Sequence, residues 1–114
     1  YVTDGQGFLA LFRPKAIRYD DARVIMTKAG PLKVPATAEL LDVRGTDTLR
    51  VQLTIDDAVA TDTRLGLIER GAGDYARNLS RPWFVQMAGE ATISGRIRGR
   101  ALDGRGRGFF ETYR

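Results

Sequence analysis

The last third of the chain, WFVQMAGEATISGRIRGRALDGRGRGFFETYR from Trp83 to Arg114, limits the possible folds more than any other stretch. It reads as one long β-hairpin, two extended arms around a tight turn. An X-Gly pair suits a two-residue primed turn, which needs positive φ. A turn at Arg98-Gly99 sets Ile97 opposite Arg100, Gly95 opposite Leu102, Ile93 opposite Gly104, Ala91 opposite Gly106 and Met87 opposite Phe110. The other face then pairs Thr92 with Arg105, Glu90 with Arg107, Gln86 with Glu111 and Phe84 with Tyr113. A cross-strand ion pair such as Glu90 with Arg107 is worth about 0.2–1 kcal/mol. A competing register turns at Asp103-Gly104, by residue type the stronger turn signal. That register shortens the second arm and sets Leu102 against Arg105.

In the preferred register Gly89, Gly95, Gly104, Gly106 and Gly108 share one face. Glycine inside a strand costs stability, so this face requires a reason. One reason is curvature, since strongly coiled strands bend at glycine. The other is close approach of something large to a bare backbone, either a side chain of a facing sheet or a bound ligand.

The rest of the chain offers shorter strands to complete a sheet. Gly7 to Phe12 is an apolar run bounded by Gly and Arg13-Pro14, which suits a strand buried on both faces. Ala16 to Tyr19 and Arg23 to Lys28 read as strands, with a turn at Asp20-Asp21 between them. Ala29 to Pro35 reads as a loop because of its two prolines and Gly30. Ala38 to Arg44 fits a helical turn or a strand. Thr48 to Asp56 alternates without exception, Leu49, Val51, Leu53 and Ile55 against Arg50, Gln52, Thr54 and Asp56. That period of two marks a half-buried antiparallel strand. Asp57 to Thr63 reads as a polar connection and Arg64 to Glu69 as a further strand. Gly71 to Pro82 is the longest irregular stretch, with one helical turn at Asp74 to Leu79. About eight extended segments and no long helical period predict an all-β, antiparallel fold, a barrel or strongly curved sandwich closed by the C-terminal hairpin.

Composition narrows the chemistry. The chain has 114 residues and no cysteine or histidine, so thiolate chemistry, a Ser-His-Asp triad and His/Cys metal sites are excluded within it. No cofactor is expected. Its 18 Lys+Arg against 14 Asp+Glu leave a net charge of only +4, much of it in RIRGRALDGRGR. Arginines split between strand faces without interleaved aromatics do not make a stacking surface, so nucleic acid is not the expected partner. No apolar run reaches the roughly 20 residues of a membrane span. The glycines do not form a phosphate loop, because they lie on strands and lack the Gly-Lys-Ser/Thr ending. The cysteine-free composition suits a cytoplasmic setting. Residues 1–114 are expected to be one β domain, and because the chain opens on Tyr1 rather than Met it is expected to be a domain, a processed product or a trimmed part of something longer.

The stretch ISGRIRGRALDGRGRGFFETY resembles the closing hairpin of the hydroxyneurosporene synthase (carotenoid hydratase) and AttH-like group. The matching residues are Ser94-Gly95, Gly99-Arg100, Gly104 with Gly106 and Gly108, and Phe110-Glu111-Thr112-Tyr113. The resemblance covers about the last 25 residues and implies a lipocalin-like β domain that usually occurs twice per chain, with residues 1–114 as the C-terminal domain of a longer protein. It also implies an apolar, terpenoid- or polyketide-like ligand, and it supplies no catalytic residue.

On the residues themselves, the ligand-contacting candidates are Tyr75, Trp83, Phe84, Met87, Gly106 and Gly108. Each has an ordinary structural role as its alternative, core packing for the aromatics and Met, curvature for the glycines. Glu90 and Glu69 are the candidate acids. A carboxyl held in an apolar barrel donates a proton to an alkene, as hydration or cyclisation needs. For Glu90 the plainer role is the ion pair with Arg107. Three functions compete: a domain enclosing an apolar small molecule as part of a hydratase, cyclase or isomerase, a structural domain whose glycine face receives another domain or a second copy, and an arginine-based nucleic-acid binder.

Overall fold

The computed structural model describes residues 2–4, 6–14 and 16–114. They form nine strands and two short helices: β1 (Val2–Asp4), β2 (Gly7–Ala10), β3 (Ala16–Tyr19), β4 (Arg23–Thr27), β5 (Gly30–Val34), β6 (Thr37–Arg44), β7 (Asp47–Asp62), α1 (Thr63–Glu69), α2 (Gly73–Arg77), β8 (Trp83–Ile97) and β9 (Arg100–Tyr113). A five-stranded sheet runs in the order β3-β6-β7-β8-β9, and two separate hairpins, β1-β2 and β4-β5, accompany it. Every ladder is antiparallel.

The terminal hairpin takes the Arg98-Gly99 register along its whole length, from Ile97 opposite Arg100 to Phe84 opposite Tyr113. The turn is of the primed kind, with φ 50° at Arg98 and 79° at Gly99. Asp47 holds it from the neighbouring turn, accepting a 2.8 Å hydrogen bond from the Arg98 amide. Phe84 and Tyr113 stack at 5.2 Å between ring centroids, and Glu90 meets Arg107 at 3.5 Å.

One face of the sheet is apolar and carries the core: Leu53 and Ile55 of β7, Val85 and Met87 of β8, with Val34 brought in by the β4-β5 hairpin. Ile25, Leu32, Leu40, Ala58, Ala60 and Phe110 pack around them. The alternation of β7 continues past Ile55 only through a β-bulge between Ile55 and Asp57. The extra residue shifts the phase, so that Ala58 and Ala60, not Val59, continue the buried row. Arg23 holds the bulge, donating to the carbonyls of Ile55 (3.1 Å) and Asp56 (2.7 Å).

Several segments differ from the sequence expectation, each for a physical reason. Residues 57–62 extend β7 instead of forming a polar connection, because the bulge takes up Asp56 and Asp57 rejoins the ladder opposite Ala88. Residues 64–69 are helical, not extended. Asp62 caps that helix by accepting from the Arg64 amide at 2.9 Å and clasps the Arg64 guanidinium at 2.6 Å. The Arg64 side chain holds the Asp62 carboxyl below its usual range. Residues 30–34 form a strand rather than a loop, since Pro31 sits in a two-stranded hairpin where a missing donor is tolerated. The open choice at 38–44 resolves as strand β6. The apolar run from Gly7 is a strand only to Ala10. Beyond it Phe12 is buried and Leu11 exposed, and the side chains of Phe8 and Leu9 lie outside the described set.

The sheet curls enough to bring its first and last strands together at one end. Arg114 lies over the Tyr19 ring at 4.5 Å, donates to the Tyr19 hydroxyl at 3.2 Å and pairs with Asp21 at 2.7 Å. Among the described residues no ladder joins β3 to β9, so the expected closure into a barrel is absent from the hydrogen bonding. Among the described residues no helix is long and apolar enough to cross a membrane.

Candidate functional site

The place where β3 and β9 approach without pairing is a pocket of about 290 Å³. Its floor is the apolar face of the sheet, Ala38, Leu40, Leu53, Ile55 and Met87. Its sides are Ile17 and Tyr19 from β3, Pro35, and Phe110 to Thr112 from β9. The alternating pattern of β7 and the even-numbered residues of β9 thus deliver carbon to this space. The Tyr19 hydroxyl is held by Arg114, whose buried Nε has no hydrogen-bond partner.

The β3 wall is fixed by Asp20. Its carboxylate accepts from the amides of Ala36 (2.9 Å) and Thr37 (3.0 Å) and from the Thr37 hydroxyl (2.8 Å). The Thr37 amide first, then that of Ala36, holds the Asp20 carboxyl below its usual range. What reads as a simple turn residue therefore ties Tyr19 to the start of β6, beside Pro35.

Of the residues singled out in the sequence, Met87 lines the pocket. Gly108 lies next to it, with the Phe110 ring 3.3 Å from where a Cβ would stand. The other candidates are elsewhere. Trp83 packs against the core and carries the Arg64 guanidinium 5.7 Å from its ring centre. Phe84 stacks on Tyr113, both on the opposite face of the sheet from the pocket floor. Tyr75 borders a second groove of about 510 Å³ beside the two helices, with Leu67, Leu79 and Tyr113. Gly106 borders a shallow, polar hollow with Glu90, Arg105 and Arg107.

Neither candidate acid touches the pocket. Glu90 is on the charged face, its side chain 72% exposed beside Arg107, whose stronger partner is Asp56 at 2.5 Å. Glu69 ends α1, exposed to solvent. Glu111 borders the pocket through its strand, while its carboxylate accepts from Gln86 at 3.4 Å on the charged face. Among the described residues no group of three acids is placed to hold a metal ion.

The glycine face divides into three cases. A Cβ on Gly89 would stand 2.2 Å from the Thr54 carbonyl oxygen, and one on Gly95 2.1 Å from that of Thr48. These two let the β7 backbone close on β8. Gly108 is covered by the Phe110 ring. Gly104 and Gly106 face open space, with nothing within 4 Å.

Sequence reasoning missed Ile17, Tyr19 and Pro35 as pocket-lining residues. They come from the chain ends of the sheet, and only its curl brings them together. No family model, no curated protein and no solved structure matches the chain.

Proposed function

We propose that this chain is a lipocalin-like β domain that binds or helps enclose an apolar small molecule of terpenoid or polyketide type, as its resemblance to the AttH-like and carotenoid hydratase group implies. The observation that carries this reading is the apolar pocket between β3 and β9, floored by Leu53, Ile55 and Met87. Its volume of about 290 Å³ lies just below the roughly 300–1,000 Å³ of small-molecule sites. It suits a ring or an isoprenoid segment better than a whole carotenoid. Tyr19, which borders the pocket and whose hydroxyl accepts from Arg114, favours a ligand with one oxygen at its end. Within a hydratase, cyclase or isomerase, the share of this chain is to hold the apolar body of the substrate, since no inward-facing acid borders the pocket.

The test is a titration with retinol, whose own fluorescence rises in apolar surroundings. Saturable one-to-one binding is expected, lost in Ala38→Trp, which fills the floor, and weakened by Tyr19→Phe. Absence of saturable binding, or binding indifferent to Ala38→Trp in a variant shown to be folded, overturns the reading.

A further inference from the structure

The described molecule carries more surface than a chain of its size needs. Its accessible area is 8138 Å², whereas a compact monomer of 12.6 kDa exposes about 6,200 Å². Its radius of gyration is 17.6 Å, against about 13 Å expected. The excess of about 1,900 Å² falls within what each partner of an obligate dimer buries, roughly 1,000–2,500 Å².

The edge strand β9 has the backbone to use that surface. Trp83 and Arg114 exchange both backbone hydrogen bonds at 2.8 Å, so even-numbered residues at this end of the chain bond to β8. The odd-numbered ones turn their N–H and C=O groups to an edge that no strand of the described residues covers. An open edge of 14 residues is an invitation to pairing. Arginines along an edge normally discourage it. Here, however, Asp103 and Arg105 flank Gly104 on one face, and neither has an ion-pair or hydrogen-bond partner in its side chain among the described residues. Opposite charges two apart around a central residue make an antiparallel strand complementary to itself.

We propose that β9 pairs with β9 of a second copy of this chain, about a two-fold axis through Gly104. The pairing sets Asp103 opposite the partner's Arg105 and Arg105 opposite the partner's Asp103. On the other face it lays the partner's Leu102 over Gly106, one of the two glycines that face open space. The two sheets become one continuous sheet, and the pocket end of β9, beyond Gly108, stays outside the paired segment. The pairing is symmetric and closes on itself, so it stops at two copies.

The test uses sedimentation and a single engineered thiol in this cysteine-free chain. The wild type is expected at twice 12.6 kDa at micromolar concentration. Gly104→Cys is expected to form a disulfide-linked dimer on mild oxidation. Residues on the axis are a non-hydrogen-bonded pair about 4.5 Å apart at Cα, within disulfide reach. Glu90→Cys, on β8, is expected not to crosslink. Asp103→Arg alone and Arg105→Asp alone each weaken dimerisation by about tenfold or more, because two attractive pairs become repulsive. The double exchange restores it to within a few-fold of wild type, which unfolding cannot mimic. A monomer at all concentrations without Gly104→Cys crosslinking overturns the proposal, and so does a dimer indifferent to the charge exchanges.

Discussion

The two arms of the terminal hairpin place the same residue type on the same face for opposite reasons. In β8, which has a neighbour on each side, Gly89 and Gly95 are where carbonyls of β7 press onto the backbone. In β9, which has a neighbour on one side only, Gly104 and Gly106 press on nothing. Glycine in an interior strand is thus a steric requirement of sheet coiling. Glycine in the edge strand is a vacancy that the isolated fold has no use for. A single sequence pattern contains both, and only the number of neighbours separates them.

That contrast can be broken most decisively at Gly89. Gly89→Ala forces a backbone shift in β7 and is expected to cost about 3 kcal/mol or more in urea denaturation, at the upper end of overpacking. A loss under 1 kcal/mol would show that the two arms do not differ. Next in size is Met87→Ala, which removes a buried side chain from the core beside the pocket. It is expected to cost about 2–4 kcal/mol, the cavity remaining partly open. The same variant should change the retinol titration, whereas Phe84→Leu on the opposite face should leave it within about twofold.

A smaller effect is expected from acid. Asp20 and Asp62 have folded-state pKa values lowered by hydrogen bonds, from Thr37 and Ala36 in one case and from Arg64 in the other. Groups with depressed pKa stabilise the fold above their unfolded pKa near 3.9, and that contribution is lost as pH falls through the folded value. Stability should therefore be flat from pH 7 to about 5 and decline below pH 4. Asp20→Asn should reduce the acid-sensitive part of a pH-dependent melting series, and an unaltered profile would remove Asp20 from the account. The smallest effect belongs to Gly106→Ala. With open space around it and an ordinary strand backbone, it should be neutral or stabilise the monomer by up to about 1 kcal/mol. A cost comparable to that of Gly89→Ala would erase the distinction between the arms.

The hairpin register was legible in the sequence because independent signals agreed: an X-Gly turn, an ion pair at Glu90 and Arg107, and an aromatic pair at Phe84 and Tyr113. The stronger local signal at Asp103-Gly104 lost, since it matched nothing across the strand. The first half of β7 was legible from alternation alone. Its second half was not, because the bulge at Ile55–Asp57 breaks the phase, and paired aspartates resemble a turn. The α1 helix was hidden for a similar reason: Leu65 and Leu67 fit a strand period, and the Asp62 cap that decides the matter lies one residue before the helix. Pocket residues fared worst. Tyr19 and Arg114 are 95 positions apart and meet only through the curl of a sheet whose middle strands say nothing about it.

The bulge also sets how this chain tolerates length changes. Upstream of it, the apolar residues of β7 occupy odd positions, and downstream they occupy even ones. Removing Asp56 alone would close the bulge and leave one unbroken alternation with Ile55, Ala58 and Ala60 still inward, whereas removing one residue from the regular stretch upstream would turn part of the row Leu49, Val51, Leu53 and Ile55 outward. A two-residue change in that regular stretch preserves the phase. Along β7, then, natural variation in length should come in steps of two, with the Asp56-Asp57 pair as the place where a single step has already been taken.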